Sequence, residues 1–337
     1  MSTGLAARPR RPRAARPSSG RLTPLWTLIL RLAPPSWSDY VLRHWSGRRL
    51  VAAVPYLWLV LFFVVPFLIV FKISFSEVRI AMPPYAPLIE WAGAQAVEVK
   101  LNLANYAFLL TDDLYFSSYI YSIKVAAVSA LCCLLIGYPM AYAMARSAPT
   151  WRSVYVLLVI LPFWTSFLLR VYAWIGLLKN NGVINNVLMA AGIIDEPITM
   201  MNTSFAVYVG IVYSYLPFMI LPLYANLEKH DPTLLEAAAD LGAGPVTRFL
   251  RITLPLSMPG VIAGSLLVFI PAVGEFVIPS LLGPTDQLMI GRVLWDEFFA
   301  NRDWPVASSV AIFMLLLLVV PIMIFQRFQN RELAARK

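Results

Sequence analysis

A run of about 20 apolar residues without charge has one natural solvent, the interior of a bilayer. This chain holds six runs of that kind, at residues 51–71, 125–145, 153–177, 204–227, 258–281 and 305–325. Across all six only Arg170 and Glu275 are charged. Backbone N–H and C=O groups find no water in hydrocarbon, so a spanning segment is a helix or part of a closed barrel. The runs lack the alternation of barrel strands. The expected fold is therefore an all-α polytopic membrane protein with six transmembrane helices. Composition agrees: 13% of the 337 residues are charged and the mean hydropathy is +0.70, where a soluble domain carries about 25% charge.

The net charge of +9 is concentrated at one end. Ten arginines and one acid fall in the first fifty residues, and the remainder balances to neutrality. Arg8 to Arg16 lies in an Arg/Pro/Ala stretch with little to bury, so residues 1–47 are expected to be disordered. A nucleic-acid-binding tail is one reading, and a positive-inside topology signal is the ordinary one. The Lys/Arg bias groups the N-terminus, residues 146–152, residues 228–251 and the tail after Gln326 on the cytoplasmic side. The loop at 74–123 carries Glu77, Glu90, Glu98, Asp112 and Asp113 against Arg79 and Lys100, and belongs outside. Both termini are then cytoplasmic, in a multi-pass membrane protein. Residues 48–327 form the membrane domain, with a loop at 228–255, and 328–337 form a cytoplasmic tail.

Arg48-Arg49 before an apolar run suggests a twin-arginine signal, but no small-residue cleavage site follows, so the run is read as an uncleaved first span. Cys132 and Cys133 are adjacent within a span and read as packing residues. His44 and His230 lie outside the spans and make no metal-ligand cluster. Pro139, Pro162, Pro217, Pro222 and Pro271 lie inside spans two to five, where each favours a kink. Such kinks fit bundle packing or a transporter, and no internal repeat supports an inverted-repeat design.

Between spans four and five the chain reads EAAADLGAGPVTRFLRITLP, residues 236–255. Asp231-Pro232 is a helix start, and Gly242 is a helix end. Gly244-Pro245 turns the chain into a second short helix, which Leu254-Pro255 leads into span five. Ala237, Ala238 and Ala239 leave a bare surface that another backbone can approach, with Glu236 and Asp240 at its rim. That is a docking surface, with no convergent His, Ser or Cys for catalysis.

Glu236-Ala237-Ala238, three residues, Gly242, nine residues, Ile252, one residue and Leu254-Pro255 resembles the coupling motif of ABC importer permeases at every fixed position. The resemblance implies a type I ABC importer permease-like fold, in which this segment docks in a groove of an ATPase subunit. The sequence contains no G-x-x-x-x-G-K-[ST] phosphate loop. The chain is thus expected not to be an enzyme and to bind no cofactor or metal itself, with ATP and Mg on a separate ATPase chain. LPFWTSFLLRVYAWIGLLKNNGVINN (161–186), VYSYLPFMILPLY (212–224) and FIPAVGEFVIPSLLG (269–283) resemble the polyamine (putrescine/spermidine) branch of these permeases. Residues 50–77 and 289–312 look closer to its putrescine members than to its spermidine members. The resemblance implies a second permease subunit, two ATPase subunits and a periplasmic polyamine-binding protein.

A diamine presents two ammonium groups on an apolar stem, so its path favours carboxylates and aromatic faces. Glu275 is the one acid deep in a span and is expected to face a cavity or the bundle interior. It is either a transient ammonium partner or a structural group that pairs with Arg170 or shares a hydrogen-bond network with it. Trp164, Tyr172, Trp174, Tyr208, Tyr213 and Tyr215 line a cation path or serve as packing and belt residues. Trp164 and Tyr172, eight positions apart, are expected on one helix face. Asp296, with Glu297 and Asp303, is expected near the outer mouth. An ion-coupled secondary transporter is the competing class, and it would give the docking segment no purpose. A membrane enzyme would need a catalytic constellation that the sequence does not offer.

Overall fold

The computed structural model describes the backbone over residues 47–91 and 97–335, and side chains over 51–88, 100–319 and 322–323. The disorder expected of residues 1–47 lies, Gly47 apart, outside the described residues. The chain divides at Phe67 and Leu68 into two units.

The first unit is described by most of helix α1, which comprises Gly47–Leu59, a π turn at Val60–Val64, and Val65–Ile73. The wide turn has a local cause. Pro66 lacks an N–H, and its ring presses on the carbonyl four residues back, at Phe62. An extra residue in the turn relieves that contact. Trp58, Phe62 and Phe63 are exposed.

The second unit begins with the end of α1 and a short antiparallel pair, β1 (Ile89–Trp91) and β2 (Val97–Val99), with Ile89 opposite Val99. Helix α2 (Ala104–Thr111) follows. Asn105 Nδ2 donates to the carbonyls of Ser74 and Ser76 at 3.0 and 2.9 Å, so α2 caps the orphan carbonyls where α1 ends. Helix α3 (Asp113–Arg146) starts twelve residues before the apolar run expected at 125. Asp112 Oδ1 accepts from Leu114 N at 2.8 Å and sets that start. The loop expected over 74–123 therefore ends at Asp112, eleven residues early.

The third expected span is not one helix. Helix α4 (Pro149–Trp164), whose last turn Leu161–Trp164 is 3₁₀, meets the next segment, Phe167–Ala190, at a bend of 87°. Pro162 removes a helical donor, and Thr165 Oγ1 donates to the Pro162 carbonyl at 2.7 Å. The second segment comprises α5 (Phe167–Leu178) and α6 (Val183–Ala190). Helix α7 (Ser204–Leu227) has the expected bounds. Helix α8 (Thr233–Asp240) precedes α9 (Pro245–Val273), and α10 (Val277–Leu282) follows a break at residues 274–276. Span five, expected over 258–281 with a kink at Pro271, instead begins at Pro245 and breaks at 274–276. Helix α11 (Ile290–Trp295) widens into a π turn at Asp296–Ala300, and α12 (Trp304–Ala335) contains the sixth expected span. Among the described residues, four helices are long and apolar enough to cross a membrane, the bent pair makes a fifth, and Trp304–Val319 is a shorter apolar helix.

Helices α3, α7 and α9 form the centre of the second unit. Lipid is as apolar as leucine, so their association rests on close van der Waals packing. Gly260 and Gly264, four apart on α9, meet α7 closely: a Cβ at Gly264 would lie 2.8 Å from Met219 Sδ, and one at Gly260 2.8 Å from Asn226 Cβ. Cys133 is buried in this layer, its Sγ 3.7 Å from the Val212 carbonyl, while Cys132 is half-buried and both are free thiols.

Candidate coupling site and substrate path

The loop after α7 is built by local chemistry. Asp231 Oδ1 accepts from Thr233 N at 2.9 Å, and this bond holds the exposed carboxyl below its usual pKa. Helix α8 ends at Gly242, whose φ of +80° lies in the left-handed region that favours glycine. Gly242 N donates to the Ala239 carbonyl at 2.8 Å and Ala243 N to the Ala238 carbonyl at 2.9 Å. This pair of bonds is a Schellman closure. Glu236, Ala237, Ala239, Asp240 and Gly242 are exposed, and Ala238 is half-buried. Leu241 is 89% exposed, an apolar tip on a polar loop. Sequence reasoning missed it, although leucine beside the helix-ending glycine was the visible signal.

The second short helix is not separate. Gly244 caps it and Pro245 opens it, but it runs through Leu254-Pro255 into the span. The proline is absorbed by a π turn at Phe249–Thr253, because its ring would otherwise strike the Arg251 carbonyl. The motif therefore divides. Glu236, Ala237 and Gly242 face outward, Ile252 and Leu254 are half-buried, and Pro255 is exposed. Below it, Tyr138 on α3 shares a 2.8 Å hydrogen bond with Ser257, and its ring meets Phe249 edge-on at 5.5 Å. Arg152 Nη1 lies 3.2 Å from Glu228 Oε1, so the 146–152 connection and the start of this loop share one end of the bundle.

Glu275 does not lie within an unbroken span. It sits in the break between α9 and α10 and is buried, with 8% exposure. Its Oε1 accepts from Val277 N at 3.0 Å and from Ile278 N at 3.4 Å, satisfying donors at the start of α10. Its Oε2 accepts from Tyr215 OH at 2.5 Å. Pro271, Gly274 and Pro279 around it were the sequence signal for the break. No ion pair with Arg170 forms among the described residues. The Arg170 guanidinium lies over the rings of Phe163 and Phe167, at 5.2 and 5.7 Å, and its Nε and Nη1 have no hydrogen-bond partner there.

Trp164 and Tyr172 are 72% and 56% exposed, but the bend at Thr165-Ser166 places them on different helices. The shared-face expectation fails because it assumed an unbroken 3.6-residue period. Trp174 meets Tyr213 edge-on at 5.4 Å. Asp296 pairs with Arg292 one turn back at 3.9 Å. Glu297 accepts from Tyr115 OH at 2.7 Å, joining the start of α3 to the end of α11. Burial holds Asp303 above its usual range, and its Oδ1 accepts from Val306 N at 2.9 Å.

Several apolar helices of spanning length, with an exposed, glycine-closed helix between two of them, describe a multi-pass membrane protein. The family described as binding-protein-dependent transport system inner membrane component matches residues 134–334. The spermidine/putrescine transport system permease protein PotB of Haemophilus influenzae is 39% identical over 280 residues, 83% of this chain and 93% of its own. The protein of the same name from Escherichia coli is 39% identical over 270 residues, 80% of this chain and 93% of its own. The inner membrane ABC transporter permease protein YdcU of Escherichia coli is 31% identical over 239 residues, 67% of this chain and 75% of its own. The fold is also that of a chain from a bacterial ABC transporter involved in the import of the acidic polysaccharide alginate, with a TM-score of 0.59 at 17% identity, covering 91% of this chain and 98% of that one. The chain belongs to the family of inner-membrane permease subunits of binding-protein-dependent ABC transporters. In these systems ATP hydrolysis belongs to a separate chain.

Proposed function

We propose that this chain is one permease subunit of an ATP-driven importer of polyamines, with putrescine as its principal cargo. The reading is carried by the exposed, Schellman-closed helix at Glu236–Gly242, set in the permease coupling motif, and supported by the cargo named for relatives at 39% identity. The working assembly holds a second permease subunit, two ATPase subunits that carry ATP and Mg, and a periplasmic polyamine-binding protein. Both termini and the 228–255 loop face the cytoplasm.

The ATPases close on ATP and pull on Glu236–Gly242. The helices then alternate between an outward state that receives the diamine and an inward state that releases it. Glu275, Trp164, Tyr172 and Asp296 are its candidate contacts. The aromatic faces attract ammonium groups, and Glu275 supplies a carboxylate at a helix break. Spermidine is the second reading, favoured by the relatives' names, which carry both amines. Competition decides between them. In cells lacking other polyamine uptake, unlabelled putrescine should block labelled putrescine entry more strongly than spermidine does. Stronger block by spermidine assigns the triamine, and block by neither removes the polyamine reading.

A further inference from the structure

The exposed helix α8 can move the membrane helices only through what ties it to them. Its backbone hydrogen bonds, and the Asp231 cap, are all local to residues 231–243. Among the described residues one hydrogen bond leaves it for another element: Arg248 Nη1 on α9 donates to the Leu235 carbonyl at 3.4 Å. That distance is long for a hydrogen bond, so packing shares the link. Leu235, Arg248, Phe249, Thr253 and Tyr142 line one cavity of about 160 Å³. Arg248 Nε is buried there without a hydrogen-bond partner among the described residues. The adjacent Phe249 packs on Tyr138, which bonds to Ser257. A continuous path thus runs from Leu235 through Arg248 and Phe249 to helices α9 and α3.

We propose that Arg248 is the positioning residue that clasps the docking helix to α9, so that a pull on α8 reaches α3 and α9 together. The inference rests on the reading that Glu236–Gly242 docks an ATPase. The remaining ties from α8 to α9 are the turn after Gly242 and the packing of Leu235 at the shared cavity, neither of which fixes direction as a hydrogen bond does. The long arginine stem fills the space between helices, and its planar fork reaches a helical carbonyl that a shorter side chain would not.

The test uses the complete transporter in proteoliposomes with its binding protein and compares Arg248→Met with Arg248→Lys. Methionine keeps much of the stem and loses the donor, while lysine keeps a donor. The ATPase should still co-purify with both variants and still hydrolyse ATP. Cargo moved per ATP should fall about fivefold in Arg248→Met, the low end of common coupling factors, and recover in part in Arg248→Lys. A wild-type ratio in Arg248→Met overturns the clasp. Should Arg248→Met fail to assemble, hydrogen exchange in the wild-type complex decides. Peptides covering 233–242 and 245–257 should change protection together on ATP binding, and separate changes refute the proposal. Glu236→Ala, which leaves the clasp in place, reports on docking itself. If it couples normally, the docking reading fails. If it uncouples while Arg248→Met does not, only the clasp fails.

Discussion

Glu275 receives three hydrogen bonds, two from the backbone of the helix that follows it and one from Tyr215. Its charge and its shape therefore have separable roles. Glu275→Ala removes the acceptor for the first donors of α10 and should cost about 1–2 kcal/mol, as loss of a helix cap does, read as a lower unfolding midpoint in detergent. Glu275→Gln keeps an acceptor oxygen and should fold normally, with slower diamine uptake. Unchanged uptake kinetics in Glu275→Gln would make the residue structural only. Gly242→Ala places a Cβ in the left-handed region, at about 1–2 kcal/mol. It should lower transport without preventing insertion, and normal uptake at normal expression would contradict that. The short helix that ends at Gly242 was legible in the sequence because its start and stop signals lie close along one chain. The bond from Tyr215 to Glu275 was not, because the two residues stand sixty positions apart and nothing local pairs them.

At the scale of elements, apolar runs located helices well and their ends poorly. Helix α7 was read with its true bounds, since Thr203 caps it and Leu227 ends its apolar stretch. Helix α3 was cut short because its first turns carry Ser117, Ser118, Ser122 and Lys124, which an apolar-run reading discards. The bend after Trp164 was signalled by Pro162, but the prolines at 139, 217 and 222 lie inside continuous helices. Proline alone thus did not say which kink becomes a break. Packing predicts contrasting glycine substitutions. Gly264→Leu drives a side chain into Met219, with its carbonyl 3.1 Å from the new Cβ, and should destabilise by about 1–3 kcal/mol. Gly176→Ala on α5 meets nothing within 4 Å and should stabilise by about 0.5–1 kcal/mol. Thermal unfolding of the two purified variants checks both signs, and equal midpoints would reject the close α7–α9 approach.

At the scale of the whole molecule, the class of protein was legible because bilayer chemistry leaves few options for uncharged runs. The direction of transport and the partners are written on surfaces that this chain shares with other chains, and so lie beyond its own contacts. If the Arg-rich N-terminus serves only topology, deleting residues 2–40 should spare uptake by correctly inserted protein, and lost uptake would give the tail another role. The central claim is that a separate ATPase drives this permease through Glu236–Gly242. The most direct measurement is labelled putrescine uptake into proteoliposomes holding this chain with its partner permease, ATPases and binding protein, with or without ATP inside. The account predicts uptake only when ATP and the binding protein are both present. Uptake driven by an ion gradient without ATP would contradict it.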